Sequence, residues 1–172
     1  MVDEVEIKFL NINSVEIEKK LKTLGAKKKY SSELVDVFLN NKLLDIDFKN
    51  PASKSLRVRS FNGAYIITFK GKVEPSVFKI QDEVNASINS FEESIEIFEK
   101  LGFSKKVFRK TRTHYELDKV HFEIDKWVGL PAFLEIETSS IKEMERVCKL
   151  LDFDITKGDK RIAPEIWPKY FV

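Results

Sequence analysis

Apolar and polar residues alternate along most of this chain, and where they do the polar positions are mostly charged. In Glu4-Val5-Glu6-Ile7-Lys8-Phe9, a period of two puts Glu4, Glu6 and Lys8 on one face of a strand and Val5, Ile7 and Phe9 on the other. The same alternation predicts strands over 2–9, 27–30, 33–39, 56–61, 64–72, 77–86, 105–113, 115–125 and 132–138. Asn62-Gly63, between two of these runs, is the strongest hairpin signal in the chain. Helical spacing takes over three times. Asn13 with Glu16, Ser90 with Glu93 and Ser140 with Glu143 read as helix starts. The stripes that follow are Ile17, Leu21 and Leu24; Phe91, Ile95, Phe98 and Leu101; and Ile141, Met144, Cys148 and Leu151. Gly25 and Gly102 stop the first two helices. Residues 40–55 are polar and contain Pro51, which reads as a long connection. Residues 156–172, with Pro164, Pro168, Trp167, Tyr170 and Phe171, are expected to pack across the outside or to close an opening.

Three amphipathic helices need apolar surface to cover, and the apolar strand faces supply it. The charged faces must then turn toward water or toward one another. Their basic members are Lys8, Arg57, Arg59, Lys70, Lys72, Lys110 and Arg112, and their acidic members Glu4, Glu6, Glu83, Asp125, Glu135 and Glu137. Two like charges 4 Å apart repel by roughly 4 kcal/mol at an effective dielectric near 20. A lining of seven basic groups therefore demands anions. Two carboxylates a strand step apart suit a hard divalent ion, and a neighbouring lysine suits a phosphate. A wet tunnel holding a metal-polyphosphate satisfies both sets. The alternative is an open, twisted sheet whose charged face meets solvent.

At 172 residues the chain reads as one domain, 1–172. A net charge of +2 does not argue for nucleic acid, and no stacking aromatics interleave the basic positions, so no nucleic-acid partner is expected. No run approaches the ~20 apolar residues of a membrane span, and no signal peptide is recognisable; a cytoplasmic protein is expected, with no membrane partner. Cys148 is alone and falls on a helix stripe, as a small core residue. With His114 and His121 the only histidines, a zinc site is not expected. An exposed apolar surface would permit a homodimer.

Six short motifs resemble a known family in their order: Glu4-x-Glu6-x-Lys8, Arg57-x-Arg59, Thr68-x-Lys70, Lys110-x-Arg112, Asp125, and Phe133-Leu134-Glu135-Ile136-Glu137. That family is CYTH, the triphosphate tunnel metalloenzymes, which include class IV adenylyl cyclases, thiamine triphosphatases and inorganic tripolyphosphatases. The resemblance implies an α+β fold, a closed eight-stranded antiparallel β-barrel forming a tunnel, with helices packed outside. It implies Mg²⁺ or Mn²⁺ held by Glu4 and Glu6, joined by Glu135 or Glu137 and by Asp125. It also implies that Lys8, Arg57, Arg59, Lys70, Lys110 and Arg112, with Glu83, bind a triphosphate such as ATP, tripolyphosphate or thiamine triphosphate. Arg109 replaces Lys110 if a bulge shifts the register. The fifth-strand pattern of the family, R-x-E-x-E, reads Gln81-x-Glu83-x-Asn85 here, and the His-Phe lead-in of bacterial class IV cyclases is missing before Glu4. The expected reaction is metal-dependent hydrolysis of the phosphoanhydride. Cyclisation of ATP to cyclic AMP and pyrophosphate is the alternative, and a non-catalytic polyphosphate-binding module a further one. No general base is identified.

Overall fold

The structure is a computed structural model and describes residues 4–72 and 79–171. Its strands are β1 (Glu4–Phe9), β2 (Lys27–Asn40), β3 (Ser55–Phe61), β4 (Ala64–Lys70), β5 (Lys79–Gln81), β6 (Glu83–Ile88), β7 (Ser104–Leu117), β8 (Val120–Trp127) and β9 (Phe133–Thr138). The three expected helices are α1 (Ser14–Thr23), α2 (Phe91–Lys100) and α3 (Ile141–Leu150), and a single turn, α4 (Ala163–Ile166), follows. Each of the three begins where its cap residue stands. The side chains of Asn13, Ser90 and Ser140 accept from the backbone N–H of Val15, Glu93 and Glu143, at 3.1, 3.3 and 3.3 Å.

The strands expected over 27–30 and 33–39 are one strand, and the break expected between 105–113 and 115–125 lies further along the chain. β2 runs through Ser31 and Ser32, and β7 runs through His114 and Tyr115. The two pair with each other over thirteen positions, and this long ladder overrides the weak strand preference of the serines. The β7–β8 turn falls instead at Asp118, whose φ of 55° is one that aspartate tolerates. The Asn62-Gly63 hairpin is as expected, with φ values of 49° and 76°. Of the strand expected over 77–86, residues 77 and 78 lie outside the described residues. The remainder divides at Asp82 into β5 and β6.

Among the described residues the antiparallel order is β5-β1-β9-β8-β7-β2-β3-β4-β6, which has two ends and makes a curled sheet, not the uninterrupted barrel expected. The ends are neighbours in the chain, however. β5 pairs with β1 (Glu4 opposite Gln81) and β6 pairs with β4 (Lys70 opposite Glu83), so counting β5 and β6 as one run gives eight strands. Gly71 donates its N–H to the Asp82 carbonyl at 3.0 Å, and Gln81 donates its amide to the Gly71 carbonyl at 2.5 Å.

The apolar faces are covered from outside. Val5, Ile7, Ile124, Leu134 and Ile136 pack with Ile17 and Leu21 of α1 and with Met144, Val147 and Cys148 of α3. Val37, Leu56 and Val58 pack with Ile95 of α2 and with Phe103. A third cluster joins Phe48, Trp127, Phe133 and Phe171, with Ala163, Trp167 and Tyr170 packed against it, so the C-terminal segment packs onto the sheet. That segment is pinned to β1 by two backbone hydrogen bonds between Lys8 and Asp159, 2.8 and 2.7 Å long. Beside them, Gly158 presses on buried Ile7: a Cβ at Gly158 would sit 2.5 Å from Ile7 Cγ1. Gly158→Ala is therefore expected to cost about 1–3 kcal/mol by overpacking, read as a lower urea midpoint with unchanged slope.

Candidate active site: a charged cavity inside the curled sheet

The charged strand faces converge on a cavity of about 250 Å³. Every residue expected to bind phosphate lines it: Lys8, Arg57, Arg59, Lys70, Lys110, Arg112 and Glu83. So do Glu6, Asp125, Glu135 and Glu137 among those expected to hold metal. Glu4 opens β1 opposite Gln81, but its side chain lies outside what is described. The irregularity in the β2–β7 register falls at Lys28–Tyr30, away from Lys110. Lys110 is therefore buried on the cavity side while Arg109 is exposed. Lys72, the remaining basic member, pairs with Asp45 on the surface at 2.7 Å.

One side of the cavity is a braced cationic wall. Asp125, fully buried, accepts two hydrogen bonds from Arg112 at 2.6 and 2.7 Å and one from Lys110 at 2.6 Å. Both of its oxygens thus accept from cations, which makes it the anchor of that wall. Arg112 also touches Glu123 and comes within 3.6 Å of Glu135. Asp36 does for β3 what Asp125 does for β7, accepting from Arg59 at 2.6 and 2.8 Å. Arg57 is less well held. It lies 3.9 Å from Asp36 and 3.4 Å from the Thr68 hydroxyl, and its buried Nε makes no hydrogen bond. Burial and the neighbouring Arg59 push the Arg57 guanidinium below its usual value. Burial followed by Arg112 does the same to the Lys110 ammonium.

Further oxygen donors lie on β1 and β9. Glu6 faces Glu137 directly on the neighbouring strand, and Lys8 faces Glu135. The Lys8 ammonium touches Glu6 and stands 3.2 Å from Glu135. On the β4–β6 side, Lys70 pairs with Glu83 at 2.5 Å. Asn85 donates to Glu83 at 2.6 Å, and Thr68 donates to Asn85 at 2.7 Å. Where the family pattern carries charge, Gln81 and Asn85 are amides bound to protein groups.

Asp36 and Glu123 were not anticipated as functional residues, and both titrate with the cation wall. Burial would raise the Glu123 carboxyl, but Arg112 more than offsets this and holds it at about 2, against an ordinary 4.5. Asp36, also buried, is held well below the usual carboxylate range by Arg59 and Arg57. A depressed folded-state pKa contributes stability above the unfolded-state value and loses it as pH falls toward the folded one. Thermal stability is therefore expected to be level from pH 7 to about 5 and to fall between about 4.5 and 2. Circular dichroism melts across that range check this.

The comparisons agree with the geometry. The chain is 33% identical over 150 residues, 84% of its own length and 82% of the relative's, to the Methanocaldococcus jannaschii protein named "Putative adenylate cyclase MJ0240". It superimposes on the PH1012 protein of Pyrococcus horikoshii with a TM-score of 0.79 and 27% identity, covering 94% of this chain and 98% of that one. The Hippeastrum protein HpAC1, whose structure is described as revealing a dominant triphosphatase activity, shares the fold at a TM-score of 0.60 and 12% identity, over 96% and 93% of the two chains. No helix among the described residues is long and apolar enough to cross a membrane. A CYTH domain profile matches residues 3–150, and the chain belongs to the CYTH domain family.

Proposed function

We propose that this chain is a metal-dependent triphosphatase, binding a triphosphate in the charged cavity and hydrolysing its phosphoanhydride. The observation that carries the reading is the arrangement of six cationic side chains and eight carboxylates, Glu6, Glu135 and Glu137 among them, around one cavity of about 250 Å³. Two buried N–H groups of lining residues, Arg57 Nε and Trp127 Nε1, make no hydrogen bond, which is unusual unless an acceptor from outside meets them. Arg57 is thus the guanidinium with most capacity left for a phosphate oxygen, and Arg59 and Arg112 present forks already fixed by carboxylates.

The donors also fit the implied ion. Glu6 and Glu137 are like charges directly opposite on paired strands, a destabilising arrangement unless a cation is shared between them. All-oxygen donors suit Mg²⁺ or Mn²⁺. Glu6, Glu135 and Glu137, with Glu4, would hold it, and when bound it supplies a Lewis acid that polarises a phosphoryl oxygen. Lys8, in contact with two of these carboxylates, keeps their charge oriented and is placed to meet a phosphate. The cationic wall then neutralises charge as it spreads over the equatorial oxygens. On this reading the sheet works as a tunnel, since strand 79–88 serves both edges and keeps bulk water off the charges.

Cyclisation of ATP is the second reading, favoured by the name of the M. jannaschii relative. Hydrolysis is preferred because the cyclase lead-in is missing before Glu4, while the exchange of charge for amides at Gln81 and Asn85 is the motive for a non-catalytic binding module. Phosphorus NMR separates them after incubation with Mg²⁺ or Mn²⁺ and, in turn, tripolyphosphate, thiamine triphosphate and ATP. Orthophosphate release supports the triphosphatase and names its substrate. Pyrophosphate with cyclic AMP replaces it with a cyclase. Binding of all three without any product makes the chain a polyphosphate-binding module.

A further inference from the structure

We propose that His114, Glu116 and His121 form a second metal site, for a transition ion such as zinc, at the hairpin end of β7 and β8. It was not expected from two histidines alone, because they lie on different strands and join only when the turn falls at Asp118. His114 and Glu116 then lie two residues apart on β7, and His121 joins them from β8, where it pairs with Glu116. Their ligand atoms make a compact triangle. His114 Nε2 is 3.3 Å from Glu116 Oε1 and 3.4 Å from His121 Nδ1, and His121 Nδ1 is 3.7 Å from Glu116 Oε1. Ligands about 2.0–2.1 Å from a tetrahedral ion stand about 3.4 Å apart, so the triangle is that of three corners of such a site.

Two of the three ligands are oriented by a group that leaves the inward atom available. The His114 ring stacks on Tyr30, with centroids 5.0 Å apart and planes 8° from parallel. Its other nitrogen, Nδ1, is buried, makes no hydrogen bond, and faces Glu123 Oε1 at 3.5 Å. A carboxylate behind the imidazole is the usual support of a metal-bound histidine. The second oxygen of Glu116 is held by Lys29 at 3.0 Å. His121 is 40% exposed and Glu116 32%, so an ion has a path in from solvent. Three protein ligands leave a fourth position for water or an anion. Two imidazoles with one carboxylate select zinc, cobalt, nickel or copper over magnesium. None of the three residues lines the cavity. The ion is therefore different in kind and place from that proposed for Glu6, Glu135 and Glu137, and the inference stands without the triphosphatase reading.

Cobalt(II) alone is the probe, titrated into the full chain purified free of metal. The expected result is one equivalent giving the intense visible bands of four-coordinate Co²⁺, displaced by Zn²⁺. His121→Ala, at a half-exposed position, should keep the circular dichroism spectrum and weaken Co²⁺ binding at least about 100-fold. Glu116→Gln should do the same should His121→Ala not fold, while Glu6→Gln should leave the bands unchanged. Only the weak absorption of six-coordinate Co²⁺, or intense bands that persist in both His121→Ala and Glu116→Gln, would overturn the site.

Discussion

Replacing Arg112 by methionine is expected to cost about 3–5 kcal/mol of folding stability, the largest loss from any single substitution in the cavity. The reason is what it leaves behind. Asp125 is fully buried and takes two of its three cationic hydrogen bonds from Arg112. Glu123, also buried, touches Arg112, and Glu135 lies within 3.6 Å of it. Without the guanidinium, three carboxylates share Lys110, Lys8 and whatever water can enter. Against a total of roughly 5–15 kcal/mol this is a large fraction. For a chain of this size it corresponds to a fall in Tm of roughly 10–15 °C. Arg57→Met removes the same chemical group from the same cavity yet should shift Tm by only a few degrees, because Asp36 keeps both hydrogen bonds from Arg59. Thermal melts of the two variants side by side decide the matter. Equal losses would mean that Arg57 is as deeply braced as Arg112. The double variant Arg112→Met, Asp125→Asn should recover part of the deficit, since the stranded charge is removed with its partner.

That asymmetry between two arginines marks the limit of what the chain discloses by itself. Alternation placed Arg57, Arg59, Lys110 and Arg112 on charged faces, and the helix stripes left those faces to turn toward one another or toward water. Both inferences are local, and of the two arrangements the structure has the first, with all four residues lining the cavity. Which carboxylate meets which cation is a matter of register between strands far apart in sequence. Asp36 lies on the charged face of β2, but its role depends on standing opposite Arg59 across the β2–β3 ladder. Glu123 could have been found by period alone, two residues before Asp125 on the same strand. Asp125, which the resemblance offers as a metal ligand, accepts three hydrogen bonds from Arg112 and Lys110 in the structure. The closure of the sheet was legible only in part. Alternation through 77–86 predicted a single strand, whereas the break at Asp82, packed against Gly71, lets its two halves pair with β1 and with β4. A close approach between a glycine and an aspartate eleven residues on has no periodic signature.

Glu6→Gln is expected to lower kcat about a thousandfold while leaving the fold intact. Metal assistance supplies several kcal/mol of transition-state stabilisation, and each 1.36 kcal/mol is a factor of ten. Loss of a charged ligand should remove most of it. Stability should respond differently. Glu6 is buried and stands directly opposite Glu137, so neutralising it relieves a like-charge pair across β1 and β9. It also weakens the contact with Lys8, but Lys8 keeps Glu135 at 3.2 Å. These effects oppose one another, and Tm without metal should stay within a few degrees of the parent. Added Mg²⁺ or Mn²⁺ should then raise Tm in the parent and much less in the variant, because an ion that binds only the folded state stabilises it in proportion to its affinity. Parent-like kcat at saturating metal would remove Glu6 from the ligand set. A collapse in Tm without metal would instead make its contact with Lys8 a structural ion pair, with the carboxylate retained for the strand and not for the ion.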